Sequence, residues 1–298
     1  MELRKKRVLI IGSNGKLGAG LARCFSGHNS YELLCAGASE KSSVPGVEYR
    51  QIDITKRNNI KTLFHDFFPD MVINAAGFTN VDLCETQKEL SWNVNVKGTE
   101  GLAASSWAID AHIIHISSDY IFDGKEGPYT EEDIPHPISY YGRTKLAAEN
   151  AIRTSGARHT IIRTNVLYGS SIYGRPDFAS WVIENLSGKK EIRVVTDQHN
   201  NPTLVSDLVK VIETITELEK EGIYNIGGPK YLSRYEFAVK LAEYFGLISG
   251  LIQPVTTADL KQPAARPLKS GLICTKAEEE LGYKPLRFEE AFKSLKTD

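Results

Sequence analysis

The chain has 298 residues, 41% hydrophobic and 24% charged, proportions that exclude a disordered or collagen-like chain. This length makes one large domain or two smaller ones. Lys and Arg total 36 against 37 Asp and Glu, a net charge of −1, so no global basic field exists to hold nucleic acid or an anionic membrane.

The first residues are basic and then apolar, as in a secretion signal. The run Val8 to Ile11 is too short for one and breaks at Gly12-Ser13-Asn14-Gly15. No later run reaches the length of a membrane span, so a cytoplasmic protein is expected. Short apolar runs at 7–11, 31–36, 47–51, 71–74, 113–117 and 160–163 read as strands. Amphipathic stretches at 17–25, 57–67, 84–109 and 141–153 read as helices. Such alternation implies a parallel sheet with helices on both faces. After residue 168 the rhythm changes. Gly169-Ser170-Ser171 and Gly174-Arg175-Pro176-Asp177 read as loops, 178–186, 205–218 and 234–244 as helices, 192–196 and 223–226 as strands. Pro254, Pro263, Pro267 and Pro285 break the end into loops and short helices. The expected division is a larger unit, 1–168 with 204–226, and a smaller irregular lobe, 169–203 and 227–298. A ligand belongs in the cleft between them.

Gly12-Ser13-Asn14-Gly15-Lys16-Leu17-Gly18 stands between the first strand and the first helix. Gly12 permits the turn, Gly15 lets the backbone approach a pyrophosphate, and Gly18 lets the helix pack on the sheet. Free N–H groups at the helix start then face phosphates, so Asn14, Lys16 and Leu17 join the candidate dinucleotide contacts. An NAD site wants a carboxylate at the end of the second strand. Here Glu32 is at the wrong end, and the right end runs Gly37-Ala38-Ser39 with Lys41 beyond. A neutral pocket around Ser39 with Lys16 and Lys41 nearby favours NADP(H), with NAD(H) as the alternative. Asp53-Ile54, after the third strand, is placed for an adenine amino group. Asn74-Ala75-Ala76-Gly77 offers small residues against the dinucleotide.

Tyr141 and Lys145 stand four apart at the start of a helical pattern and project from one face. A nearby ammonium favours the phenolate of a tyrosine and so fits it for proton transfer. Lys145 can also donate to a cofactor ribose. Upstream, Ser117-Ser118-Asp119 leaves a strand at the edge where ligands bind in such sheets, and Ser118 can donate to a carbonyl oxygen beside Tyr141.

Glycine loop, Asn-Ala-Ala-Gly, strand-end serine and Tyr-x-x-x-Lys occur in the order that resembles the extended short-chain dehydrogenase/reductase family, over nearly the whole chain. More narrowly, the chain resembles the dTDP-4-dehydrorhamnose reductase subfamily of sugar-nucleotide reductases. That resemblance rests on Asn74–Asp82, Ser117–Gly124, Tyr141–Glu149, Asp197-Gln198, Pro202-Thr203 and Arg266–Leu272. It implies a Rossmann-like doubly wound parallel sheet with a smaller, irregular α/β substrate-binding lobe. It implies NADP(H)-dependent reduction of a 4-keto group on a nucleotide-linked 6-deoxysugar, toward an activated deoxysugar for surface polysaccharide. Ser118, Tyr141 and Lys145 would be the catalytic set, with Asp119 beside it. Thr79 and Val81 would lie near the sugar nucleotide. Ser118 stands where the subfamily commonly has Thr, Val166 where it has Trp, and Asn200 where it has Gly, a residue that tolerates a left-handed turn. Tyr120 after Asp119 counts against a 4,6-dehydratase, whereas a 4-epimerase of the same fold stays open. So does a regulatory subunit such as that of methionine adenosyltransferase. Oligomeric state is not legible, and a homodimer is among the options.

Arg266 has two readings, a contact to the substrate pyrophosphate or a partner for a nearby carboxylate. Asp82 and Glu85 read as first-turn carboxylates of a helix. Glu131-Glu132-Asp133 reads as a solvated loop. Trp92, Trp107 and Trp181 read as packing residues. His112 and His115 read as structural. Cys24, Cys35, Cys84 and Cys274 are far apart without a CxxC and read as buried reduced thiols, so no metal site is expected.

Overall fold

A computed structural model describes residues 4–169 and 176–295, so the loop expected at 169–177 lies largely outside the described residues. In chain order the first half comprises β1 Lys6–Ile11, α1 Lys16–Ser26, β2 Tyr31–Gly37, β3 Tyr49–Gln51, α2 Arg57–Phe67, β4 Met71–Asn74, α3 Val81–Thr86, α4 Lys88–Trp92, α5 Gly98–Ala108, β5 His112–Ser118, α6 Tyr140–Arg153 and β6 His159–Thr164. The second comprises β7 Leu167–Tyr168, α7 Phe178–Ser187, β8 Ile192–Val195, β9 His199–Asn200, β10 Thr203–Leu204, α8 Val205–Leu218, β11 Gly222–Ile226, β12 Leu232–Ser233, α9 Arg234–Phe245, β13 Ile252–Val255, α10 Thr257–Leu260, α11 Thr275–Leu281 and α12 Phe288–Ala291.

Seven strands form one parallel sheet in the order β11-β6-β5-β4-β1-β2-β3. This is the Rossmann-like doubly wound arrangement. Strand side chains alternate between faces. Val8 and Ile10 of β1 therefore pack with Leu21 and Phe25 of α1 and Ile212 of α8, while Leu9 and Ile11 pack with Ile60 and Leu63 of α2 and Leu102 of α5. Burial on both faces explains the unbroken apolar runs. The order reverses between β1 and β4, which opens a crevice beyond their carboxyl ends.

A separate apolar cluster joins Val182 and Leu186 of α7, Phe237 and Leu241 of α9, Val194 of β8, and Phe288 and Phe292 at the C-terminal end. The same cluster takes in Tyr168 and Leu204, which the expected division placed in the larger unit. Ala277 and Tyr283, assigned to the lobe on sequence, instead pack in the core beside α1 and α8. β8 pairs with β13 in its own two-stranded sheet. Among the described residues, no helix is long and apolar enough to cross a membrane.

Where one helix is expected over 84–109, the chain breaks at Gln87 (φ −110°, ψ 54°) and makes a π-helical turn at Asn93–Lys97. Asn95 in that turn accepts a hydrogen bond from the Phe78 amide at 2.7 Å and donates to Thr144 at 2.9 Å, fixing the loop after Gly77 against α6. π turns of this kind accompany functional sites. The third strand is shorter than 47–51, covering Tyr49–Gln51. Trp107 is 62% exposed and not core, whereas Trp181, 39% exposed, stacks on Phe178 of the lobe at 5.8 Å. Cys35 and Cys84 are buried, but Cys24 and Cys274 are only partly so. Asn200 adopts no left-handed backbone; it pairs in β9 with Leu232 of β12, and the expected turn is absent there.

Candidate active site

Two adjoining cavities open at the crevice. The first, 740 Å³, is lined by Gly12, Asn14, Gly15, Lys16, Ser39, Asp53, Ile54, Ala75, Ala76 and Gly77, among others, so most candidate cofactor residues converge. The second, 420 Å³, shares Gly15, Lys16, the Ala75–Gly77 turn and Thr79 with the first, and adds Leu17, Gly18, Val81, Ser118, Asp119, Tyr141, Lys145 and Val166.

The first cavity fits a dinucleotide. Gly12 has φ +82°, and a Cβ there would meet the Ala76 amide nitrogen at 2.6 Å, so the turn and the small-residue strand end require each other. A Cβ on Gly18 would lie 2.2 Å from the Gly12 carbonyl oxygen. Gly15 caps α1 without any side-chain hydrogen bond, leaving the first amides of the helix free for an anion. Asn14 ties the loop down, donating to the Lys41 carbonyl at 2.8 Å and accepting from the Ser43 amide at 2.8 Å.

The two lysines behave differently from expectation. The Lys16 ammonium pairs with Asp177, which caps α7, and the two side chains are only 12% and 9% exposed. Lys41 contributes its carbonyl to Asn14, and its side chain is not among the cavity lining. Asp53 accepts from the Thr55 amide and hydroxyl at 2.9 and 2.7 Å, which holds its carboxyl below the usual range.

α6 starts where Ser139 caps it, accepting from the Gly142 amide at 3.1 Å. A Cβ on Gly142 would sit 2.1 Å from the Tyr120 carbonyl oxygen, so only glycine lets Tyr141 approach the end of β5 this closely. The Ser118 hydroxyl donates to Asp119 at 3.0 Å and lies within hydrogen-bond reach of the Tyr141 phenol. The Ser270 hydroxyl of the lobe donates to the other Asp119 oxygen at 2.6 Å. Burial raises the Asp119 carboxyl to about 6, against the two serines and Arg234, which lower it.

The Lys145 ammonium donates to the Ile116 carbonyl at 2.6 Å, and burial lowers it to about 8 against the opposing charge of Glu149. The expected lowering of Tyr141 by Lys145 is not what the structure shows. Burial dominates and pushes the phenol up, opposed by Ser118 and not by Lys145. A phenol held protonated is suited to give a proton to a developing alkoxide.

Arg266 takes its second reading. Its two terminal nitrogens reach both Asp82 oxygens at 2.5 and 2.8 Å, and it is not among the residues lining either cavity. Asp82 is thereby a tether to the lobe, not a helix charge alone, and Glu85 accepts from the Tyr140 amide at 2.7 Å. Glu131 also departs from expectation: it accepts from the Asn225 amide at 2.8 Å, and its carbonyl accepts from Arg163 at 3.1 Å. His112 and His115 are buried in β5 against Thr160 and Asn74, and burial lowers both.

Two features were missed on sequence. Arg234 lines the second cavity, and among the described residues its Nε is buried with no hydrogen-bond partner and it forms no salt bridge. Its guanidinium lies 5.1 Å from the Phe178 ring centre. A signal existed. Ser233 and Glu236 form a capping box, so Arg234 is the first helical residue, where positive charge opposes the helix dipole. The second is Glu149, whose carboxylate pairs with Arg163 under the site.

The family profile described as RmlD substrate binding domain matches residues 6–298. A dTDP-4-dehydrorhamnose reductase of Aggregatibacter actinomycetemcomitans is 32% identical, covering 97% of this chain and 98% of the relative. Methionine adenosyltransferase 2 subunit beta of Rattus norvegicus is 30% identical over 93% of this chain and 83% of its own. A solved dTDP-4-dehydrorhamnose reductase from Clostridium acetobutylicum superposes with a TM-score of 0.87 at 32% identity, covering 96% and 97% of the two chains. That of Bacillus anthracis, solved in complex with NADP, gives 0.83 at 28% identity over 97% and 98%.

Proposed function

Because the chain belongs to the RmlD substrate binding domain family, we propose that it is an NADP(H)-preferring reductase of a 4-keto group on a nucleotide-linked 6-deoxysugar. The observation that carries this reading is the convergence of Ser118, Tyr141 and Lys145 in a cavity that adjoins the dinucleotide cradle. The glycine loop and the Ala75–Gly77 turn would hold a reduced nicotinamide dinucleotide, which would supply the hydride when bound. The Ser118 hydroxyl, held by Asp119 in the structure, turns to donate to the keto oxygen when substrate is bound. Tyr141 gives its phenolic proton to that oxygen as negative charge develops on it. Lys145 holds the cofactor ribose, and Thr79 and Val81 border the sugar. Arg234, not Arg266, reads the nucleotide diphosphate, because among the described residues it is a cavity-lining guanidinium that forms no salt bridge.

The test is NADPH consumption with dTDP-4-keto-6-deoxy sugars and identification of the product by NMR. Free 4-keto-6-deoxy sugar should be a very poor substrate beside the linked form, because the diphosphate contributes binding remote from the reacting carbon. Arg234→Ala should raise KM for the linked sugar by about 10- to 100-fold, the loss of a charged hydrogen bond. Arg266→Gln should act chiefly on stability.

NADPH should bind more tightly than NADH, since no carboxylate terminates β2 at Gly37-Ala38-Ser39. Equal dissociation constants for the two in the wild type would refute it. A non-catalytic subunit is the second reading, favoured by the likeness to methionine adenosyltransferase 2 subunit beta. It predicts no turnover with any keto-sugar nucleotide and a stoichiometric protein partner in a pull-down.

A further inference from the structure

Far from the crevice, four side chains meet across the packed helices α1 and α8. Cys24 lies in the last turn of α1 and His28 four residues on, just past Gly27, whose φ of −77° and ψ of −9° carry the helical winding onward. Glu213 and Glu217 of α8 are also four apart, so each pair shares one helix face. The His28 Nε2 lies 2.8 Å from a Glu213 oxygen, and the Cys24 thiol hydrogen-bonds the same carboxylate. One ligand atom each from Cys24, His28 and Glu213 lies within 4.8 Å of the other two. Glu217 is near enough for its charge to act on the thiol, and the Tyr31 ring stands 5.9 Å from that of His28. Leu17 to Cys24 spans about 10 Å along the helix at 1.5 Å per residue, so the cluster sits away from the glycine loop. Nothing in the proposed reaction uses it.

We propose that Cys24, His28 and Glu213 form a Zn²⁺ site that clamps the end of α1 to α8, with water or Glu217 in the fourth position. One sulfur, one imidazole nitrogen and one carboxylate make a donor set suited to zinc and unsuited to the all-oxygen preference of Mg²⁺ or Ca²⁺. Bonds of about 2.0–2.3 Å in a tetrahedron place ligand atoms roughly 3.3–3.8 Å apart. The present spacing closes to that by side-chain rotation. His28 and Glu213 are free to make it, with side chains 41% and 21% exposed. A free thiol is protonated at neutral pH. Binding therefore forms a zinc–sulfur bond and releases one proton from Cys24 to solvent, while His28 coordinates as the neutral imidazole.

The test uses the full chain, tag-free, reduced and stripped of metal. Co²⁺ should give a thiolate charge-transfer band that saturates at one equivalent and is bleached by Zn²⁺, and Zn²⁺ binding should release about one proton. Cys24→Ser should abolish the band. His28→Ala and Glu213→Gln should each weaken Zn²⁺ binding by at least about tenfold. Zn²⁺ should raise the midpoint of thermal unfolding in the wild type and not in His28→Ala. Unchanged NADPH affinity confirms that each variant is folded. A wild type without the band, or a band that survives in folded Cys24→Ser, overturns the proposal. In the second case the thiol is another cysteine.

Discussion

Tyr141→Phe should lower turnover by about 10²- to 10⁴-fold, the range for loss of a positioned acid. The ring would remain, and so would its edge-on contact with Tyr120, whose ring centre lies 5.6 Å away. The Ser139 cap of α6 does not involve the phenol. NADPH affinity and unfolding midpoint should therefore hold while kcat falls. The phenol lies in a buried setting that keeps it protonated, against Ser118 and beside Asp119. Steady-state kinetics with a keto-sugar nucleotide, beside a direct NADPH titration, separates the two quantities. Wild-type-like turnover in the folded variant would remove Tyr141 from the mechanism.

What the sequence made legible was local or carried by fixed spacing. Gly12 and Gly18 announce themselves because a backbone turn and a close helix approach admit only glycine. Tyr141 and Lys145 do so because a helix face fixes their relation. The misreadings concern partners distant in sequence. Arg266 meets Asp82 across 184 positions, a pairing that no periodicity signals. Lys16 meets Asp177 across 161. The π turn at Asn93–Lys97 leaves the apolar pattern of a long helix almost intact, so the pattern cannot reveal it. Arg234 was readable in principle from its charge at a helix start, but that it forms no salt bridge among the described residues shows only with the whole lobe in place. The lysine argument for the cofactor shows the same limit. Proximity in sequence to the glycine loop did not tell which way the Lys16 ammonium turns.

Glu149→Ala should destabilise the fold by about 3–5 kcal/mol, the cost of leaving a buried charge without its partner. Its carboxylate meets Arg163 fork to fork, Nε donating at 3.1 Å and Nη2 at 2.9 Å, and the two side chains are 0% and 2% exposed. The Ser117 hydroxyl adds a third bond at 2.5 Å. Without Glu149 the guanidinium retains the Glu131 carbonyl and the Phe122 ring, 5.5 Å from its centre, and neither is an anion. Against a typical stability of about 5–15 kcal/mol, the loss is large enough to read as a clear drop in urea midpoint at constant slope. The pair itself need not be stabilising, because two desolvated charges offset much of their attraction. Replacing both with Met should therefore recover most of the stability lost in Glu149→Ala, and a double-mutant cycle would show the coupling. Activity should not recover with it. Glu149 holds Ser117, the neighbour of Ser118, and its charge supports the Lys145 ammonium, which the double replacement removes. A stable Glu149→Met/Arg163→Met protein with undiminished kcat would show that the buried network carries the fold alone and leaves the site to position itself.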